Sequence, residues 1–457
     1  MGNYEAYRKI ELGDKTLSAR VEKTLDQLSA APTSSISASC KDPYQAKAVY
    51  RLLSNEKFTA EALIEVSRKE TAAKIRESGV RVVLIPQDTT SVNYGGLKET
   101  KGLGTTNGYT NSRGIQLHSS IAVSEEGRVF GLLAEKAWVR PVEELGKRIQ
   151  RRHKAVEEKE SNKWLEALEK SDISSELSDV KFIHICDRES DIYELFAKAE
   201  KEKKTYICRR CRSRVIKTET EEMEITRYLD NLPKAGELTV SVPRDSHADR
   251  EARTAKLELK YGKTMMKKPP GIKQSKLMPK YVEVTFISAK EIDVPVGVEG
   301  ISWALVTNDL IETFEEAVRC VRRYTQRWKI EIFHYVLKSG CAIEKLQSNT
   351  SVKLIKLIAL YSIIALRITA LTYLARTTPD DSCETEFTSD EWKILYKVSK
   401  KTKAAPEKPL TIYDTVMMLA KLGGFLARKS DGFPGVKVIW RGITAFYAIL
   451  DAAEFLA

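Results

Sequence analysis

The chain has 457 residues, of which 42% are hydrophobic, 8% aromatic and 30% charged, a composition that excludes disordered, collagenous and disulfide-scaffold chains. At about 150 residues each, the length allows roughly three domains. Lys and Arg number 75 against 63 Asp and Glu, a net charge of +12, and this excess favours a polyanionic partner, most commonly nucleic acid.

Residues 1 to about 75 read as a helical head. Asp42-Pro43 has the pattern of an N-cap followed by a first-turn proline, opening a helix through Leu53, and Thr59 with Glu61 opens the next. The head holds 12 basic and 10 acidic residues, so its affinity for a polyanion must come from placement. At Val82 the pattern changes to an apolar, β-branched strand, Val82 to Gln87, ending at Asp88, followed by a polar, glycine-rich stretch to Gly114. Gln116 to Val123 and Arg128 to Ala134, separated by Glu125-Glu126-Gly127, read as a hairpin, and Val142 to Lys170 as a charged helical segment. A second apolar strand, Phe182 to Cys186, ends at Asp187 and is followed by a helix through Tyr193 and Leu195.

From about 205 to 305 the patterns alternate as strands do, as in Ala255-Leu257-Leu259-Tyr261. Residues 201–280 carry 21 Lys or Arg against 11 Asp or Glu, so most of the chain's basic excess is localised there, as in a nucleic-acid footprint. Beyond Glu312 the chain is mainly helical, with a polar break at Thr377 to Thr388 and a last helix around Trp440 to Leu456. The longest apolar run, Leu357 to Leu366, is well short of the roughly 20 residues that cross a bilayer, so no membrane partner is expected. The seven cysteines, an odd number without a signal peptide, argue for reduced thiols in a cytosol. Cys208 and Cys211 have CxxC spacing, but no second pair completes a zinc site.

Two strands that each end in an aspartate place Asp88 and Asp187 at one sheet edge if the strands are parallel neighbours, a metal-site geometry that lacks a third ligand. Either residue alone reads more readily as an ordinary first loop residue or N-cap aspartate. The third ligand is suggested by Tyr324, Arg327, Glu331 and Lys338. On one helix, at about 100° per residue, these four fall within a stripe of about 60°, apart from Ile330, Phe333 and Leu337. An ordinary i,i+4 ion pair explains Arg327 and Glu331 but not the alignment of the other two.

The run Tyr324 to Glu331 with Lys338 matches the Tyr-x2-Arg-x3-Glu-x6-Lys signature of the insertion-sequence-four family of DDE transposases. Asp88-Thr89-Thr90-Ser91 with Tyr94, Cys186-Asp187-Arg188-Glu189 with Asp191, Leu422-Gly423-Gly424-Phe425 and the spacing from Trp303 to Tyr324 extend the resemblance over nearly the whole chain. It implies an α/β fold with a ribonuclease-H-like catalytic core at 76–376, interrupted by a basic β-rich insertion at about 205–305. A helical end-binding domain (1–75) would precede the core, and a helical dimerisation domain (377–457) would follow it. Asp88, Asp187 and Glu331 would be the catalytic residues and the ligands of two Mg²⁺ ions, with Mn²⁺ substituting.

By the same resemblance Tyr324, Arg327 and Lys338 would bind phosphates beside the scissile bond. Trp303 would stack on a flipped base and Arg209 would contact DNA. A core tryptophan at a strand start is the alternative for Trp303, and membership of a general phosphate patch with Arg210, Arg212 and Arg214 the alternative for Arg209. The last helix, with Trp440, Ile443, Phe446, Tyr447 and Leu450, is either the meeting point of a homodimer or a buried intramolecular helix. The function implied is a cytoplasmic, nucleoid-associated bacterial cut-and-paste transposase acting on double-stranded transposon ends and target DNA. The alternatives are a ribonuclease-H-like nuclease without strand transfer and a catalytically silent DNA-binding regulator.

Overall fold

The computed structural model describes residues 4–40, 42–106, 112–144, 154–242, 251–272 and 278–456. The head contains α1 (Lys15–Ala30), α2 (Ile36–Ser39), α3 (Pro43–Ser54) and α4 (Ala60–Ser78). The expected caps form: Asp42 accepts the Gln45 amide at 2.9 Å and Thr59 the Ala62 amide at 3.1 Å, each satisfying an amide the helix itself leaves unpaired. α4 stops at Gly79, whose φ of +67° is strained for a residue with a side chain.

The strands are β1 (Val82–Asn93), β2 (Gly104–Thr105), β3 (Arg113–Ser124), β4 (Val129–Trp138), β5 (Lys181–Cys186) and β6 (Thr205–Arg209). They continue with β7 (Val215–Lys217), β8 (Glu222–Glu224), β9 (Gly236–Val242), β10 (Arg253–Lys267), β11 (Tyr281–Ile292) and β12 (Ser302–Thr307). All join one sheet in the order β2-β3-β1-β5-β6-β12-β11-β10-β7-β8, with β4 beside β3 and β9 beside β10. β1, β5 and β6 run parallel, and β3 and β12 flank them antiparallel. The basic insertion therefore extends the central sheet through β6 and β12. Val83, Leu84 and Ile85 are all buried, as expected of a strand covered on both faces.

The helices beyond the head are α5 (Asn162–Lys170), α6 (Tyr193–Lys201), α7 (Ile225–Asn231), α8 (Phe314–Thr325), α9 (Trp328–Tyr335), α10 (Ser351–Thr377), α11 (Ser389–Lys400), α12 (Ile412–Leu422) and α13 (Val436–Leu456). By length and composition α10 could cross a bilayer, but it is buried inside the fold. It packs on α4, β4, α12 and α13.

Three expected boundaries are corrected. β1 does not end at Asp88 but continues to Asn93, because β3 supplies ladder partners as far as Gly114. The 142–170 segment is not one helix: short 3₁₀ turns at Val142–Glu144 and Val156–Glu158 precede α5, while 145–153 lie outside the described residues. The signature segment is not one helix either. Arg327 and Ile330 donate to the carbonyls of Tyr324 and Arg327, three residues back, which tightens the chain between α8 and α9. Lys338 lies in a π turn, Val336–Gly340, beyond α9.

Candidate active site

In the β1–β5 ladder Pro86 stands opposite Ile185. Two residues further on, the same register brings Asp88 level with Asp187. In the β5–β6 ladder Cys186 stands opposite Cys208, so Arg209 follows at the same level. Asp88, Asp187 and Arg209 thus lie in a line across three parallel strands. The β12–β6 pairing sets Leu305 opposite Arg209, which brings Trp303 to the same edge, where Arg209 donates to the Ser302 carbonyl at 3.3 Å.

α9 packs on β1 and β3 and carries Glu331 over this line. Arg327, in the turn before α9, pairs with Glu331 and lies 3.5 Å from an Asp88 oxygen. Tyr324, at the end of α8, meets the Trp303 ring edge-on at 6.0 Å between centroids, an arrangement aromatic pairs favour. Of the expected site residues, seven lie together at one edge of the sheet: Asp88, Asp187, Glu331, Arg327, Tyr324, Trp303 and Arg209. Lys338 is set apart and pairs with Glu344 at 3.8 Å, because the π turn rotates it away from the stripe an unbroken helix would have. Glu344 also accepts the Asn93 amide at 2.9 Å, which joins Lys338 to the far end of β1.

The electrostatics follow from this crowding. Burial first, then Asp187 and Glu331, push the Asp88 carboxyl up to about 6, against the pull of Arg327 and of the hydrogen bond from the Thr89 amide. Asp187 is also raised, by burial first, against the hydrogen bond from the Glu189 amide. Burial pushes Tyr324 up to about 12, opposed by Arg327 and Arg209. Asp88 and Asp187, both raised by burial, thus stand beside Glu331 as a concentration of acidic groups that nearby cations relieve.

Three carboxylates have the chemistry to hold hard divalent cations, which take oxygen ligands. Among the described residues, however, no group of three or more His, Cys, Asp or Glu side chains is assembled to hold an ion. Arg327 meets the charge of both Asp88 and Glu331.

Two neighbours escaped the sequence analysis. Lys163 of α5 is buried, lies over the Trp138 and Trp164 rings, and reaches Glu189 at 3.0 Å. Nothing in the sequence near Lys163 marks it. Asp191 is wholly buried against Arg214 at 2.5 Å. Its other carboxylate oxygen accepts the Cys211 and Arg212 amides at 2.8 and 2.7 Å. It thereby fastens the basic loop after Arg209 to the turn that carries Asp187.

A basic, aromatic-rimmed carboxylate cluster on a mixed sheet suits enzymes that act on nucleic acid, and the class is narrowed by residues 4–58, which match the family model described as transposase DNA-binding. Residues 363–456 match a second, described as the transposase Tn5 dimerisation domain. At its C-terminal end, then, the chain is similar to Tn5-type transposases and at its N-terminal end to transposase DNA-binding domains, and the two matches support a DNA transposase. Among solved structures, the cryo-EM structure of a piggyBac transposase synaptic complex with hairpin DNA aligns at 11% identity and a TM-score of 0.36, covering 95% of this chain and 76% of that one.

Proposed function

We propose that the protein is a cut-and-paste DNA transposase of the insertion-sequence-four type, with a ribonuclease-H-like core whose reacting groups are Asp88, Asp187 and Glu331. The observation that carries this reading is the level register of Asp88 and Asp187 on neighbouring parallel strands, with Glu331 laid over them from α9, in a chain whose two ends match transposase families. These three side chains would hold two Mg²⁺ or Mn²⁺ ions, which supply activation of the attacking oxygen and stabilisation of the leaving one.

The chain's own groups set the rest. Arg327 and Arg209 offer guanidiniums to the phosphates flanking the scissile bond, and the Tyr324 hydroxyl adds a neutral hydrogen bond. Lys338 would reach a phosphate further along the strand. Trp303, half-buried at the rim, offers a face on which a base displaced from a hairpinned end can stack. Residues 1–75 would bind the element's end, and the C-terminal helices would join two copies in the synapse.

The test is incubation of the full chain with Mg²⁺ and a duplex carrying the element's own end. Asp88→Ala is expected to reduce cleavage by about a thousandfold or more while end binding stays within about twofold. Cleavage by Asp88→Ala at the wild-type rate would refute the assignment. Trp303→Ala should keep nicking and lose hairpinned product, and an undiminished hairpin yield would return Trp303 to a packing role.

A further inference from the structure

Behind the carboxylates lies a polar cluster that takes no part in the steps above. Across the sheet Asp88 of β1 stands opposite Ser119 of β3, and Ser119 opposite Glu135 of β4, so the three side chains form a row on one face. One Glu135 oxygen accepts hydrogen bonds from the hydroxyl of Ser119 at 3.2 Å and from that of Ser362 on α10 at 2.9 Å. Ser119 in turn lies 3.4 Å from Nε2 of His334, one turn beyond Glu331 on α9. The surroundings are apolar, with Leu117, Ile121, Ile330 and Phe333 all fully buried.

Such an environment disfavours charge. Burial pushes the Glu135 carboxyl up to about 8 and holds His334 down at about 3. At neutral pH an uncharged acid meets two hydroxyls and a neutral imidazole, a set of bonds that a glutamine amide can reproduce.

We propose that Glu135 is a positioning residue: by bridging Ser119 and Ser362 it sets the height of α9, and with it Glu331 and Arg327, over Asp88. The proposal rests on the assignment of Asp88 and Glu331 as reacting groups. It follows from connectivity, because Glu135 ties α10 to β3 directly and reaches α9 through Ser119. Removing it leaves the Ser119 and Ser362 hydroxyls without their acceptor and takes volume from the packing of β4 on α10. A shift of about 1 Å in a reacting group is enough to cost about a hundredfold in rate.

The experiment compares wild type, Glu135→Ala, Glu135→Gln and Ser362→Ala as full chains. It measures single-turnover cleavage at saturating DNA, end binding, and amide hydrogen exchange over 328–335. Glu135→Ala is expected to cleave about 10 to 100 times more slowly with end binding within about twofold and faster exchange in α9, while Glu135→Gln stays within about threefold on every measure. Ser362→Ala, which deletes one donor and little volume, should fall between them and covers the case in which Glu135→Ala does not fold. Equal cleavage and exchange in all four proteins would overturn the proposal, and so would a Glu135→Gln defect as deep as that of Glu135→Ala. A wild type inert with both Mg²⁺ and Mn²⁺, but with α9 exchange responding as expected, would sink the transposase reading and the catalytic consequence with it, while still showing that Glu135 holds α9 in place.

Discussion

Asp191 and Asp187 are four residues apart, and only the structure separates their tasks. A buried carboxylate with a guanidinium on one oxygen and two amides on the other holds its loop strongly, and removing one partner strands the other charge. Asp191→Ala should therefore destabilise the protein by about 3 to 5 kcal/mol, and Asp191→Asn, which keeps an acceptor for the two amides, by less. Urea midpoints decide this, and equal losses in the two variants would show that the amide bonds contribute nothing. The sequence shows which residues are acidic but not which way each faces: the apolar runs before Asp88 and Asp187 single these two out as candidates, although β1 runs on to Asn93, whereas nothing comparable marks Lys163, Glu135 or the role of Asp191. Asp26 illustrates the same limit. It lies in α1 with one buried oxygen lacking a partner, and burial pushes its carboxyl up to about 7. In the folded chain it keeps its proton while the unfolded chain has lost it, so stability is fullest below about pH 4 and declines as pH rises through 7. Asparagine does not titrate, and Asp26→Asn should gain on wild type across that window by at most about 1.4 kcal/mol per pH unit. A pH-independent difference in thermal midpoint would contradict the burial argument.

At the scale of elements, the period of the apolar pattern found β1, β3, β4 and β5 and the capped helices of the head, because each buries a face wide enough to leave a regular trace. It misread the segment from Tyr324 to Lys338, where the apolar residues continue in helical spacing through both the tightened turn and the π turn. No glycine or proline marks the tightened turn, and the one glycine of the π turn, Gly340, stands at its end, so neither break is announced before it begins. Glycines record closeness instead. A Cβ on Gly131 of β4 would lie 1.8 Å from Oγ1 and 2.7 Å from Cβ of Thr71 on α4, and one on Gly442 of α13 would lie 2.0 Å from the Leu419 carbonyl of α12. The latter explains why α12 and α13 approach so closely after the Leu422 to Phe425 motif. Gly131→Ala should lift α4 from the sheet at a cost of about 1 to 3 kcal/mol, and Thr71→Gly in the same chain should recover part of it. Additive losses in the double mutant would mean that the two surfaces are not in contact.

For the molecule as a whole, composition and charge indicated a nucleic-acid partner and a basic β-rich segment, but not that this segment lengthens the central sheet. Strand order is a property of pairing between distant residues and leaves no trace in any one strand. Several of the segment's lysines are spoken for within the fold, Lys263 by Glu283 at 2.9 Å and Lys256 by Glu237 at 2.5 Å. The count of basic residues therefore overstates what remains for a polyanion, whereas the net charge already allows for these pairs. The last helix shows a similar division of labour: Ile443, Phe446, Tyr447 and Leu450 are buried against this chain's own core, so the apolar stripe read from the sequence serves intramolecular packing.

What joins the two ends is Arg367 of α10. It donates to the Tyr447 hydroxyl of α13 at 2.8 Å and to the Glu386 carbonyl at 3.0 Å, with the Tyr4 ring 5.9 Å away. A planar guanidinium can serve these directions at once, whereas a lysine ammonium on a flexible stem cannot hold them together. Arg367→Ala is expected to lower global stability by about 2 to 3 kcal/mol and Arg367→Lys by nearly as much, because charge alone does not rebuild the fork. The same loss should uncouple the head. In native-state hydrogen exchange, amides of α1 and α3 that open only with the whole molecule in wild type should open below the global transition in either variant. If they still exchange together with α10 in Arg367→Ala, the contact is local decoration, and the head is held instead by the apolar surface that α1 and α3 bury against the long helix.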